Sequence, residues 1–125
     1  KLLHNYEYCT GGKTGYTKKA KRTLLSSASK DDMHLIIVTL NCGDDFNSHK
    51  LTYEKYFNNY NAIKVLKKGD NIFDKDVINL KQNYYFITNK TNLSLIYKIN
   101  MKNKEINVKL YDENKEIVDE TIVKY

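Results

Sequence analysis

Seven consecutive residues, Gly11-Gly12-Lys13-Thr14-Gly15-Tyr16-Thr17, combine a primary ammonium, a hydroxyl and glycines in one short stretch. Residues 5–16 alternate small, polar and aromatic side chains around the Gly11-Gly12 pair, which suits a strand whose backbone must be approached closely by something else. Adjacent residues on a strand point to opposite faces, so Lys13 and Thr14 can serve one pocket only at an edge strand whose rim faces the cleft. Gly15 then leaves room for the backbone of a ligand. Such an edge offers a cation, a hydroxyl and unpaired main-chain groups. That combination fits a peptide-like ligand added as an extra strand, with its carboxylate held by cations.

The stretch after it extends the pattern: Lys18-Lys19-Ala20-Lys21-Arg22, then Thr23-Leu24-Leu25-Ser26-Ser27-Ala28, the Asp31-Asp32 turn, and Met33-His34-Leu35-Ile36-Ile37-Val38. A bare Lys-Thr-Gly arises often by chance. Gly12 before it, Tyr16-Thr17 and Ala20 after it, and the Leu-Leu-Ser-Ser-Ala strand that follows make a more specific signature. In this order and spacing, residues 1 to about 60 resemble the low-molecular-weight, penicillin-binding D-alanyl-D-alanine carboxypeptidases, sporulation-type members included. Their working set is Ser-x-x-Lys, a Ser-x-Asn-type motif and Lys-Thr-Gly. The remainder resembles that family's C-terminal domain in position and strand character only.

The resemblance implies a role for each residue of the box. Lys13 would be catalytic, positioning the substrate and tuning the proton network around a serine. Thr14 would hydrogen-bond the terminal carboxylate of a D-Ala-D-Ala stem peptide or of a β-lactam. Gly15, Tyr16 and Thr17 would line the substrate groove, and the backbone from Thr14 to Tyr16 would contribute to the oxyanion hole. Arg22 would be a second carboxylate anchor, since a guanidinium meets a carboxylate in bidentate fashion. Many relatives carry an arginine just after the third strand, where this chain has Asp44-Asp45-Phe46. No cofactor and no metal are implied. The expected partners are peptidoglycan stem peptides and β-lactam antibiotics, at an extracytoplasmic site on a bacterial surface.

One departure is large. The serine motifs of the family precede Lys-Thr-Gly, and only twelve residues precede Lys13 here. Ser27-Ala28-Ser29-Lys30 matches Ser-x-x-Lys in letters, but it lies at a strand end, whereas proton transfer needs serine and lysine one helical turn apart. Tyr56-Phe57-Asn58 mimics the second motif in the wrong order, on a helix. The expectation is therefore a C-terminal piece of a larger enzyme, inactive by itself, with a boundary rather than a leader at Lys1.

Composition narrows the alternatives. The 125 residues carry a net charge of +6, but nine Lys/Arg face six Asp/Glu in residues 1–60 and twelve face nine in 61–125, so each half holds +3. Charge spread this evenly argues against nucleic acid as a partner. Only Lys18 to Arg22 is densely basic, and it reads as a solvated turn. Cys9 and Cys42 lack the spacing of a zinc or redox motif, and His4, His34 and His49 are too scattered for a metal site. No run approaches the ~20 apolar residues of a membrane helix.

The predicted elements place the box. Strands are expected over 5–16, 23–29 and 33–40, the last an apolar run typical of a buried central strand. Asn47-Ser48 can cap a helix that covers the core with Leu51, Tyr53, Tyr56, Phe57 and Tyr60. From residue 62 the period changes to short strands at 62–66, 77–80, 84–88, 93–99, 106–111 and 117–125. The fold class is α+β: the C-terminal sheet strands and last helix of a penicillin-binding, β-lactamase-like domain (1–60), followed by a small all-β domain (61–125). Two competing readings stay open, a β-lactamase, whose chains usually end soon after the last helix, and a non-catalytic module binding cell wall or another anionic polymer. With the hairpin's faces uncovered, the isolated chain is expected to self-associate.

Overall fold

The computed structural model describes residues 2–69 and 80–125, and the chain divides into two compact units, Lys1–Asn61 and Ala62–Tyr125. The strand expected at 77–80 lies outside the described residues except for Leu80, which is buried and not in a strand.

In the first unit a short helix α1 (Leu2–Asn5) precedes three strands, β1 (Cys9–Thr17), β2 (Lys21–Lys30) and β3 (Met33–Leu40), and a helix α2 (Asp45–Asn59). The strands form one antiparallel sheet in the order β1-β2-β3. The first strand thus starts four residues later than its alternation suggested, because 2–5 coil into a helix. The turn between β2 and β3 is only two residues long, Asp31 and Asp32, both with positive φ (49° and 66°). Such primed turns match the strand twist, and aspartate is among the residues that tolerate them. A turn without slack fixes Lys30 opposite Met33, and with it every later pair up to Thr23 and Leu40.

Directly opposed residues share a face, so the register sorts the side chains. Leu24, Ser26 and Ala28 are buried on the face that carries α2. On the other face Leu25, Ile36, Val38 and Leu40 are exposed, Ile36 at 72% and Val38 at 61%. The third strand is therefore not buried on both sides, as its apolar run suggested. The sequence has the composition of a two-sided strand, and only one side is covered within this unit.

The helix also differs from expectation. It starts at Asp45 with Asp44 in the capping position, so Asn47 and Ser48 fall inside its first turn. Its buried stripe is Asp45, His49, Tyr53 and Phe57, spaced i, i+4, i+8, i+12, while Leu51 and Tyr56 are exposed. Tyr53 stacks between Tyr6 and Phe57, with ring centroids 5.7 and 6.0 Å away. Leu2, Cys9, Ala28 and Met33 complete this core.

The second unit pairs β4 (Asn61–Leu66) with β5 (Tyr84–Thr88) and builds an antiparallel sheet from β6 (Ser94–Asn100), β7 (Glu105–Tyr111) and β8 (Ile117–Lys124). Strand β7 is the spine: Ile106, Val108 and Leu110 are fully buried among Val65, Leu66, Leu80, Phe86 and Val123. Asp112 closes the β7–β8 turn by accepting from the backbone N–H of Asn114 and Glu116, both at 2.9 Å. Leu110→Ala is expected to cost about 2–5 kcal/mol by loss of burial plus the cavity left behind. Urea unfolding of the chain checks this, and a loss below about 1 kcal/mol would show that β7 is not the centre of this core.

Candidate functional site

The Lys-Thr-Gly box lies in the middle of β1, at one edge of the sheet. Pairing puts Lys13 opposite Leu25 and Thr14 opposite Leu24. Lys13 accordingly stands on the open face, in the row Lys13, Leu25, Val38, and Thr14 on the helix face, in the row Thr14, Leu24, Thr39. Both nevertheless reach the rim of one hollow of about 320 Å³, which Gly11, Gly12, Ser26 and Phe46 also line. The edge position permits this, because a pocket at a sheet rim receives side chains from both faces. The Lys13 ammonium donates to the carbonyl of Thr14 at 2.7 Å, so the lysine is folded back along its own strand.

Gly15 faces Thr23, and a Cβ at that position would meet Thr23 Oγ1 at 2.8 Å. A side chain at position 15 would force the Thr23 hydroxyl to shift. Tyr16 is exposed and pairs with Arg22, and the two share a second, more open hollow with Thr14 and Gly15. Thr17 sits apart: its hydroxyl accepts the Ala20 N–H at 2.9 Å and closes the β1–β2 turn.

Arg22 is the most constrained of the expected site residues. Its Nε donates to Asp45 Oδ2 at 2.6 Å, and its guanidinium lies over the Phe46 ring, 5.3 Å from the centroid. The hydrogen bond from Arg22 holds the Asp45 carboxyl below the usual carboxylate range. Asp45 and Phe46 were not among the residues expected to act. Their signal was present as a spacing, an aspartate four residues before a histidine on one helix face.

Behind the box lies a buried polar network. Ser26 Oγ is 2.6 Å from His49 Nδ1 and 2.7 Å from the Tyr53 hydroxyl, and His49 Nε2 is 2.9 Å from Thr39 Oγ1. Among the described residues no buried side-chain polar atom lacks a partner. A serine bonded to a histidine resembles a nucleophile and its base, yet Ser26 and His49 are 1% and 0% exposed. Buried and engaged by two partners, the Ser26 hydroxyl ties the helix to the sheet instead. Burial pulls the His49 imidazole below its ordinary value, against the opposing pull of Asp45. The letters Ser27-x-x-Lys30 are likewise on a strand: Ser27 Oγ is 2.8 Å from Thr10 Oγ1, and Lys30 lies over the Tyr8 ring at 4.9 Å. Among the described residues no cluster of three His, Cys, Asp or Glu could hold a metal ion, and no helix is long and apolar enough to cross a membrane.

The first unit is thus a three-stranded antiparallel sheet with the Lys-Thr-Gly box on an edge strand and one helix across one face. Residues 1–44 match the model of the D-alanyl-D-alanine carboxypeptidase peptidase family, so the resemblance read from the box is borne out over the stretch that contains it. A similar solved structure is the D-alanyl-D-alanine carboxypeptidase DacD from Francisella tularensis, 21% identical, with a TM-score of 0.61 over 97% of this chain. At that identity the likeness concerns the fold. The chain spans 36% of that structure's length. No curated protein matches the sequence.

The His49 shift has a consequence for stability. A histidine held below its unfolded value favours the folded state fully above that value, near 6.5, and the contribution is lost as pH falls, because the unfolded chain then binds the proton more readily. Urea midpoints are expected to decline from pH 7 to pH 5 in the native chain and to decline less in His49→Gln. Parallel declines in both would remove His49 as the source.

Proposed function

We propose that these residues are part of a serine-type carboxypeptidase that removes the terminal D-Ala from peptidoglycan stem peptides through an acyl-serine intermediate and is acylated by penicillins. The single observation that carries this reading is the Lys-Thr-Gly strand at a sheet edge, with Lys13 and Thr14 on the rim of one hollow, inside the stretch that matches the family. In this reading the nucleophilic serine lies outside these 125 residues; Ser26 is buried, and the Ser27-x-x-Lys30 letters fall on a strand rather than a helix.

In this mechanism the stem peptide lies along β1 as an added strand. Thr14 donates its hydroxyl to the terminal carboxylate, with Arg22 as the second anchor. The backbone from Thr14 to Tyr16 lines the groove and adds an N–H to the oxyanion hole, where fixed donors lower the barrier by stabilising developing charge. Lys13 supplies a positive charge next to the attacking hydroxyl and favours loss of its proton. The whole protein would work outside the cytoplasm, where its polymer substrate is, and the second unit would accompany the catalytic part as a small β-rich domain.

The test is to purify the native protein that contains this sequence, measure its intact mass and expose it to a fluorescent penicillin. Covalent labelling of a species larger than this chain is expected. Lys13→Ala is expected to slow acylation about 10²–10⁴-fold, the usual weight of a positioned proton-transfer group. An unlabelled native species would overturn the reading and favour a cell-wall binding module.

The isolated chain is proposed to be inactive and to self-associate through Leu25, Ile36, Val38 and Leu40, since exposed apolar patches of this kind draw partners. Sedimentation is expected to show oligomers that the double change Ile36→Lys, Val38→Lys converts to monomers. A monomeric native chain would contradict this.

A further inference from the structure

The ion pair at the start of β2 has an unequal construction. Asp45 is 1% exposed and both of its oxygens are committed, Oδ2 to Arg22 Nε at 2.6 Å and Oδ1 to the backbone N–H of Phe46 at 2.8 Å. The arginine side chain remains 46% exposed and borders the open hollow shared with Thr14, Gly15 and Tyr16. Phe46 covers one face of the guanidinium, Cζ lying 5.3 Å from the ring centroid. Arg22 is therefore held from behind by a carboxylate and from one side by an aromatic ring. A guanidinium presents five N–H donors in a rigid plane. The bond to Asp45 uses Nε, and the forked Nη end is the part a second carboxylate would meet.

Surface ion pairs contribute little to stability when both partners are free to move, so a buried aspartate spent on a half-exposed arginine calls for another use. Fixing a rotamer-rich cation before a ligand arrives removes an ordering cost that binding would otherwise bear. The register supplies the geometry. Thr14, Tyr16 and Arg22 share the helix face, Tyr16 directly opposite Arg22 and Thr14 opposite the neighbouring Leu24. A carboxylate brought to Thr14 along the strand edge is on the same side of the sheet as the clamped guanidinium. Where α2 begins after β3, at Asp44-Asp45-Phe46, an acidic and an aromatic residue thus hold a cation that stands on β2.

We infer that Asp45 and Phe46 are positioning residues that fix the Arg22 guanidinium as an anchor for the carboxylate end of a peptide ligand lying along β1. The inference rests on the carboxypeptidase reading. It makes a specific demand, namely that Asp45, which touches no substrate, governs how strongly a free carboxylate is preferred.

The experiment uses the whole protein that carries this chain and two stem peptides identical except that one ends in a carboxylate and the other in a carboxamide. The quantity read is the ratio of their kcat/KM values. Arg22→Gln is expected to reduce the ratio about tenfold or more, the worth of a hydrogen bond to a charged group. Asp45→Asn keeps the shape of the side chain and is expected to reduce the same ratio, acting mainly on KM for the carboxylate peptide. Phe46→Leu, which keeps the backbone N–H to Asp45, is expected to give a smaller loss in the same direction, and it decides the matter if Asp45→Asn does not fold. An unchanged ratio, or an equal fall for both peptides, would show a purely structural ion pair and overturn the inference. If the unmodified protein cleaves neither peptide and no penicillin acylates it, the carboxypeptidase reading fails and the anchor with it.

Discussion

The hydroxyl of Ser26 is the point on which the first unit turns. It stands in the middle of β2, faces the helix, and meets both His49 and Tyr53 within 2.7 Å. Apart from this contact, the Thr39–His49 bond and the Arg22–Asp45 pair, helix and sheet touch through apolar and aromatic surfaces, which tolerate sliding because dispersion and hydrophobic contact have little direction. Hydrogen bonds to a buried hydroxyl do not slide. Once Ser26, His49 and Tyr53 are engaged, the rotation and the height of α2 are fixed, and Asp45, one turn before His49, is delivered to Arg22. Burying these groups without one another would cost each of them its water for nothing in return. Burial also pushes the Tyr53 phenol up and the His49 imidazole down, so both stay neutral at ordinary pH. A neutral network is what a dry interior tolerates.

Local pattern carried the strands well and the helix less well. The stretch 33–40 and the stretch 84–88 begin and end where their β-branched and aromatic residues meet turn residues, and the structure has strands with those bounds. Strand 93–99 differs by one residue at each end. The helix was legible as a helix, but its inward face was not. Periodicity counts apolar residues, so it chose Leu51 and Tyr56 and left out Asp45 and His49. What admits a carboxylate and an imidazole to the interior is a partner 23 residues away on β2, in both cases. No local window contains that partner. The same blindness affected β3, whose apolar run tells that both faces can be covered and not whether they are.

For the candidate site, the residue types were readable and their division between faces was too. Period-two alternation places Lys13 and Thr14 on opposite sides, and the register agrees. What the sequence did not disclose was the company each keeps. Thr17 belongs to a turn, and Arg22 is bound from behind by Asp45. The first is a bond across a local turn, and the second depends on how the chain returns on itself after the β2–β3 hairpin, whose register is set at Asp31-Asp32.

The two-sided character of the sheet has a further meaning for how such a protein can change. One face is locked by a satisfied polar network, in which any single replacement strands another buried group. The other face carries Leu25, Ile36, Val38 and Leu40 in the open, where substitutions disturb nothing within this unit. Lys13 projects from the permissive side and Arg22 from the locked one. Mutational drift would therefore act unevenly on the two cations, leaving the arginine and its helix as a constant and the lysine's surroundings as the place where new ligand preferences can be tried without unfolding the scaffold.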